Sequence, residues 1–289
     1  MPAVIIDGKA LAQRLRDRAA ERTKKLAERG IKPCLAVILV GEDPASLSYV
    51  GSKERALAET GISGLDIRLP ADTPEDTLLR RIAALNEDPL VHGILVQLPL
   101  PGHIHEEKII MAIAPAKDVD GFHPVSLGNL MAGRKGFVPC TPLGVLHILK
   151  EYAIPTDGAR AVILGRSNIV GKPLANLLVR KDSNATVTIC HTGTRDPASV
   201  CREADILIAA AGQPGLVSAD MVKEGAAVID VGINRVPDPE AKKGYRIRGD
   251  VDFESVREKA AFLTPVPGGV GLMTVALLLH NVLDAAEGV

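Results

Sequence analysis

The sequence predicts an α/β protein of two domains, each built on a parallel sheet covered by helices. Three observations carry this reading. The chain has 289 residues, and a length of that order favours two cores over one. Continuous apolar runs of strand length alternate with amphipathic stretches, as expected for strands buried on both faces. The alternation weakens over residues 114–142, rich in glycine and proline, and then restarts. That stretch reads as a linker or active-site loop and as the boundary.

The elements follow in order. Asp7 is placed to cap a helix running to Gly30, with Leu11, Leu15, Ala19 and Leu26 along one side. Cys34–Val40 (CLAVILV) is an uninterrupted apolar strand. A second helix follows Pro44 and ends near Gly61, then come a strand at 64–69, a helix at 74–86 and a buried strand at 91–98 (VHGILVQL). In the second half, strands are expected at 159–164, 185–190, 204–211 and 226–231, with a helix at 170–179 and a closing helix at 273–286.

Composition narrows the function. Lys and Arg total 34 against 35 Asp and Glu, a net charge of −1, so nucleic acid and anionic membrane are not expected partners. Tryptophan is absent and aromatics make up 2%, which leaves little for base stacking. Cys34, Cys140, Cys190 and Cys201 form no CxxC pair and no metal-ligand spacing; three of them lie in apolar or strand-like contexts where a buried thiol is expected, and a reducing cytoplasm fits the set. The N-terminus lacks the pattern of a secretory leader. Residues 270–283 are too short for a membrane span and are broken by Met273-Thr274 and His280-Asn281.

The strand ending at Leu164 runs into Gly165-Arg166-Ser167-Asn168-Ile169-Val170-Gly171 and then a helix. Such a turn suits a pyrophosphate, because a helix N-terminus offers free N–H groups and positive potential. The spacing is not GxGxxG, and a plain strand–helix connection explains the turn equally well. Where a site for NAD carries a carboxylate for the ribose 2′-OH, the next strand ends in Cys190-His191-Thr192-Gly193-Thr194-Arg195, with no acid until Asp196. Arg166, Ser167 and Thr192 suit a 2′-phosphate instead, so NADP is the expected cofactor. The segments Ala211-Gly212-Gln213-Pro214 and Val231-Gly232-Ile233-Asn234 fall at the C-terminal ends of later strands, where Gly232 and Ile233 read as flanking a nicotinamide or as simple strand–loop transitions.

Tyr49 and Lys53 stand four apart on one helix face. On spacing alone they are a half-exposed aromatic beside a solvated lysine. Gln97 ends a buried apolar strand, and Asp118 and Asp120 alternate in Lys117-Asp118-Val119-Asp120-Gly121. The two aspartates lack a nearby third ligand, so no metal site is expected.

Together these segments resemble the methylenetetrahydrofolate dehydrogenase/methenyltetrahydrofolate cyclohydrolase family. The resemblance rests on VGEDPAS at 40–46 with Tyr49 and Lys53, GILVQLPLP at 93–101, KDVDGFHP at 117–124, PCTP at 139–142, GRSNIVG at 165–171, VIDVGINR at 228–235 and TPVPGGVG at 264–271. It implies a bifunctional bacterial enzyme that oxidises 5,10-methylenetetrahydrofolate with NADP and hydrolyses the methenyl product to 10-formyltetrahydrofolate. It implies an N-terminal α/β folate-binding domain (1–139 plus 270–289) and a Rossmann-like NADP-binding domain (140–269), with the C-terminal helix returning to the first. Tetrahydrofolate derivatives are the implied partners, and a homodimer the implied assembly.

By the same resemblance Lys53 is the catalytic lysine, Tyr49 the folate-stacking tyrosine, Gln97 the glutamine beside the lysine and Asp120 the pterin-binding aspartate. Val96 and Leu98 flank Gln97 among the substrate contacts, and Pro267, Gly268 and Gly269 belong to a folate-cleft loop over 267–275. Gly165, Arg166, Ser167, Thr192 and Ile233 fall on the NADP contacts. The chemistry agrees: a carboxylate accepts two adjacent pterin N–H groups, tyrosine stacks on an aminobenzoyl ring, and glycine lets backbone approach a flat ligand. A lysine acts as base only when partly neutral, which desolvation and nearby positive charge promote. Gln97 would orient the amine without adding a counter-charge. Three positions depart from the family pattern: Leu272 stands where proline is usual, Ser126 where asparagine is common, and Thr192 where serine is usual.

Overall fold

The computed structural model describes residues 2–241 and 244–288. A short strand, β1 (Val4–Ile5), leads into helix α1 (Gly8–Glu28). Asp7 starts that helix, its Oδ1 accepting the N–H of Ala10 at 2.9 Å. Leu11, Leu15, Ala19 and Leu26 are all buried, as their spacing predicts. Strand β2 (Cys34–Val40), helix α2 (Pro44–Thr60), strand β3 (Ser63–Leu69), helix α3 (Glu75–Glu87) and strand β4 (Gly93–Val96) follow in the expected order. Helix α2 is defined at both ends. Asp43 accepts the N–H of Ser46 at 2.8 Å, Pro44 opens the first turn, and Gly61 closes the helix in the left-handed conformation at φ 71°.

Strand β4 is shorter than the expected 91–98 at both ends, and beyond it Pro99 has no N–H to offer the sheet. Beyond it lie helices α4 (Glu106–Ala112), α5 (Pro124–Met131) and α6 (Cys140–Glu151). The stretch expected as open linker, 114–142, thus holds a short 3-10 turn (Pro115–Lys117), one complete α-helix and the start of another. Its prolines and glycines act as punctuation: Pro124 occupies the first turn of α5, the N–H of Val125 is capped by His123 Nδ1 at 3.0 Å, and Gly133 follows the helix at φ 66°.

The second half runs β5 (Arg160–Leu164), α7 (Gly171–Val179), β6 (Thr186–Cys190), α8 (Pro197–Cys201), β7 (Ile206–Ala209) and β8 (Ala227–Asp230). An antiparallel hairpin of β9 (Asn234–Pro237) and β10 (Tyr245–Arg248), helix α9 (Phe253–Arg257), strand β11 (Phe262–Leu263) and helix α10 (Val270–Glu287) complete it. The hairpin was not foreseen: its strands are charged and only partly buried, so they carry no apolar run.

The chain divides into two compact units. One comprises Gln13–Cys140 and Val275–Val289, around the parallel sheet β3-β2-β4. Its core packs Ile38, Ile94, Leu78 and Ile82 from sheet and helix faces. The other comprises Met1–Ala12 and Thr141–Thr274, around the sheet β1-β11-β8-β7-β5-β6, in which every pairing is parallel. In that sheet β5 has its sequence successor β6 on one side and β7 on the other. Connections therefore leave β5 in opposite directions, which opens a gap beyond the C-terminal ends of β5 and β7.

Helix α10 is long and apolar enough by length and composition to cross a membrane, unlike the shorter stretch read from sequence, yet over half of its residues are buried within the protein. Its polar interruptions are paired. Asn281 donates to the carbonyls of Val119 at 2.7 Å and Val138 at 3.2 Å, and His280 Nε2 lies 3.0 Å from the carbonyl of Leu15.

Candidate active site

In the unit built on β3-β2-β4, helix α2 carries Tyr49 and Lys53 on one face and β4 delivers Gln97. The N–H of Gln97 still bonds the carbonyl of Ile38 at 2.8 Å, so the sheet ladder holds this residue one step beyond the strand. Lys53 Nζ donates to Gln97 Oε1 at 2.9 Å, and Gln97 Nε2 donates to the carbonyl of Leu98 at 2.7 Å. The glutamine amide is thereby oriented with its oxygen toward the lysine. Lys53 is only 9% exposed, far from the solvated residue that helix spacing suggested.

Asp120 reaches the same place by a different route. Gly93 at the start of β4 has no room for a side chain, since a Cβ there would lie 2.7 Å from Val119 Cγ1. Val119 seats on that glycine, which holds the alternate Asp118 and Asp120 beside the sheet. Gly121, at φ 74°, presses on Val138 and Pro139, where a Cβ would stand 2.7 Å from backbone atoms. Val96, Leu98 and Asp120 line one small cavity together with Ile113, Asp118 and Phe122.

Burial dominates the electrostatics. It pushes the Lys53 ammonium below its ordinary pKa, and the charge of Asp120 works against that shift. The expected positive neighbour does not contribute: desolvation alone depresses this lysine. Asp120 is pushed up to about 6 by burial, held back by Lys53 and raised further by Asp118. Gln97 adds a hydrogen-bond acceptor without charge, so the amine is oriented and left free to lose its proton.

Four further residues of this region were missed or read as bland. Asp118, 2% exposed, accepts from the N–H of Phe122 at 3.2 Å, the N–H of His123 at 2.9 Å and the Ser126 hydroxyl at 2.6 Å. It braces the turn that carries Asp120, and Ser126 supplies one of its donors. Cys140 is buried where its thiol is held well above the ordinary range by desolvation and by Asp120. A thiol in that state is a neutral packing group rather than a nucleophile. Asn281 Nδ2 lies 3.5 Å from its sulfur. Among the described residues no cluster of three or more His, Cys, Asp or Glu is arranged to hold a metal ion.

The other unit holds the residues expected to meet the cofactor. The register pairs Leu164 with Cys190, so the turn after β5 and the turn after β6 leave the sheet side by side. Arg166, Ser167 and Thr192 are all exposed on those two turns. Gly165 sits at φ 128°, and a side chain there would run into the carbonyl oxygen of Ala210 beyond β7. Ser167 Oγ accepts from Val170 N at 3.1 Å and Gly171 N at 3.3 Å, which fixes the start of α7. Asp196, the first acid after β6, caps α8 by accepting the N–H of Ser199 at 3.1 Å. Ile233 is 43% exposed, and a Cβ on Gly271 would lie 3.1 Å from its Cδ1.

Pro267, Gly268 and Gly269 belong to this same unit. Gly268 is at φ 115°, the Val266–Pro267 bond is cis, and a Cβ on Gly8 would lie 2.5 Å from the carbonyl oxygens of Gly268 and Gly269. Tyr49, Lys53, Val96, Gln97, Leu98 and Asp120 thus share one unit, while the glycine-rich loop shares the other with Gly165, Arg166, Ser167, Thr192 and Ile233.

Comparison with known proteins completes the picture. The sequence profile of the tetrahydrofolate dehydrogenase/cyclohydrolase catalytic domain matches residues 6–120, and that of the family's NAD(P)-binding domain matches residues 139–289. The chain belongs to the tetrahydrofolate dehydrogenase/cyclohydrolase family. It is 56% identical over 287 residues to a bifunctional FolD protein of Moorella thermoacetica, covering 99% of this chain and 100% of that one. Among solved structures it is similar to the bifunctional FolD enzyme of Campylobacter jejuni, with a TM-score of 0.94, 49% identity and 99% coverage of both chains. It is also similar to the Trypanosoma brucei methylenetetrahydrofolate dehydrogenase-cyclohydrolase solved with NADP cofactor and inhibitor, with a TM-score of 0.96 and 42% identity over 100% of this chain and 98% of that one. Both family profiles are present in order, one over each set of site residues described above.

Proposed function

We propose that this family member oxidises 5,10-methylenetetrahydrofolate to 5,10-methenyltetrahydrofolate with NADP and hydrolyses the product to 10-formyltetrahydrofolate. The observation that carries the reading is the buried Lys53, hydrogen-bonded to the uncharged Gln97 with Asp120 close by, within a chain that carries both family domains. The unit of Lys53 takes the folate and the unit of Gly165 takes the dinucleotide.

Asp120 accepts the paired N–H donors of the pterin edge, and Tyr49 stacks on the aminobenzoyl ring. Pro267, Gly268 and Gly269, in the unit of Gly165, keep backbone open to a flat ligand. Bound NADP supplies the acceptor for the hydride of the methylene bridge. For that step the residues of this chain orient and exclude water more than they exchange protons. In the second step water adds to the methenyl carbon, and neutral Lys53 takes one of its protons. The ring then opens, leaving the water oxygen as the formyl oxygen and a hydrogen on N5, so that one proton is released per turnover. Depression of the Lys53 pKa by burial supports this base role, because a fully charged ammonium accepts nothing.

The cofactor turn fits NADP by its donor set. Arg166, Ser167 and Thr192 offer a guanidinium and two hydroxyls at the ends of β5 and β6, and the Asp196 carboxylate is committed to capping α8. A homodimer accords with strand β3, which forms an edge of its sheet and exposes Ser63, Gly64, Leu65 and Asp66. Four free cysteines accord with the cytoplasm. The reading is tested by incubating the purified protein with methylenetetrahydrofolate and NADP⁺ while following NADPH and methenyl absorbance together. NADPH formation followed by decay of the methenyl signal is expected; absence of both at every folate concentration would sink it.

A further inference from the structure

Asp250 lies in neither set of expected site residues, yet it is fully buried in the unit of the six-stranded sheet. Its Oδ2 accepts the N–H groups of Ala211 at 2.6 Å and Gly212 at 2.8 Å, and its Oδ1 accepts from Asn234 Nδ2 at 2.8 Å. The last sheet bond of β7 is Ala210 N to Leu164 O at 2.8 Å. Beyond it the two following N–H groups have left the ladder and turn to this carboxylate. Asp250 is itself held from behind. Asp230 accepts the N–H groups of Gly232, Asp250 and Val251, each at 2.9 Å. Gly232 carries no side chain because one would strike the Asp250 carboxylate.

This places a buried carboxylate between two loops at the C-terminal edge of the sheet. The 210–212 loop abuts Gly165 and walls the gap between β5 and β7, the position where open parallel sheets take dinucleotides. Asn234 follows Ile233, the expected contact beyond β8. A loop whose N–H groups are fixed by a carboxylate cannot swing into that gap or away from it.

We propose that Asp250 is a positioning residue for the dinucleotide: it touches no reacting atom and sets the two loops that flank the cofactor beyond β7 and β8. The proposal rests on the NADP reading given above. Asp250→Ala removes all three bonds and should raise the Kd for NADP⁺ roughly 10- to 100-fold through misplacement of the loops. The ratio of dehydrogenase to cyclohydrolase rates should fall in parallel, since hydrolysis uses no nicotinamide. Asp250→Asn should recover to within about threefold, because the amide oxygen still accepts from Ala211 and Gly212 and a turned Asn234 meets the new NH₂. Asn234→Ala, which removes the side chain's bonds to Asp250 and to the carbonyl of Arg248 and leaves Asp250 in place, should raise Kd about threefold.

NADP⁺ titration by calorimetry and both assays decide the matter. A raised Kd in Asp250→Ala with rescue by Asp250→Asn supports the proposal. An unchanged Kd, or equal loss of both activities with a lowered melting temperature, overturns it. If Asp250→Ala does not fold, Asn234→Ala decides: a raised Kd supports the proposal, and an unmoved one overturns it. Failure of the unsubstituted protein to bind NADP⁺ would instead overturn the cofactor reading, and so is distinguishable.

Discussion

The two expected halves of the catalytic machinery are built in opposite ways. The lysine region is made of largely buried polar side chains: Lys53 is bonded to Gln97, Asp120 is pushed up to about 6, and the neutral thiol of Cys140 lies near them. The dinucleotide edge is made of exposed turn residues and glycine-constrained backbone, with Arg166, Ser167 and Thr192 open on the surface. The contrast fits the chemistry proposed for each. A lysine that takes protons must be desolvated, and desolvation requires burial. A dinucleotide that enters and leaves each cycle needs an accessible rim of donors, with precision supplied by the backbone beneath.

If that contrast is right, the largest single effect comes from the buried half. Lys53→Gln or Lys53→Ser should lower the cyclohydrolase rate about 10²- to 10⁴-fold, the usual span for a general base. The dehydrogenase should lose much less. Steady-state assays of both reactions on one preparation measure the split, and equal loss of the two with folate binding intact would contradict the base assignment. At the exposed half, Arg166→Ala should raise KM for NADP⁺ roughly 10- to 100-fold, the worth of charge-assisted bonds to a phosphate. KM for NAD⁺ should change little; an unaltered preference for NADP⁺ would count against the 2′-phosphate contact.

A pH series separates the two halves further. Cyclohydrolase turnover should rise with pH through the depressed pKa of Lys53, because only the neutral amine accepts a proton, and Lys53→Gln should flatten that limb. As pH falls through about 6, Asp120 protonates and loses an acceptor for the pterin edge, so KM for the folate should climb there. The 2′-phosphate takes its own proton near the same pH, so the Asp120 effect is read from the folate KM at saturating NADP⁺. A folate KM that stays flat down to pH 5 would remove Asp120 from substrate binding.

Much of this was legible in the sequence, and unevenly so. Strand β2 and the ends of helix α2 were readable because an apolar run, Pro44 and Gly61 carry local instructions. The chemical residues were legible as a set only through the family pattern; helix spacing alone made Lys53 a solvated lysine. Asp118, Cys140 and Asn281 escaped because their meaning is tertiary. Asn281 lies far along the chain from Val119 and Val138, and nothing local announces that they meet. Helix α5 was hidden by its own punctuation, since Pro124 and Gly133 look like loop residues and act as its start and stop. Asp250 sits between a charged hairpin and a short helix, where the pattern of apolar residues is weakest.

Thr192 gives the finest test of the contrast. It stands exposed just past β6, where the family usually has serine, and its hydroxyl is the one feature the two residues share. If the exposed rim works by donors alone, Thr192→Ser should leave KM for NADP⁺ unchanged within error. Thr192→Ala should raise it by roughly 2- to 10-fold, the value of one hydrogen bond made in competition with water. A buried threonine would behave otherwise, since loss of its methyl would open a cavity and lower stability as well. The melting temperature of both variants should therefore match the parent. A drop in Thr192→Ser would mean that the methyl is packed rather than free, and the rim would then be less open than its exposure suggests.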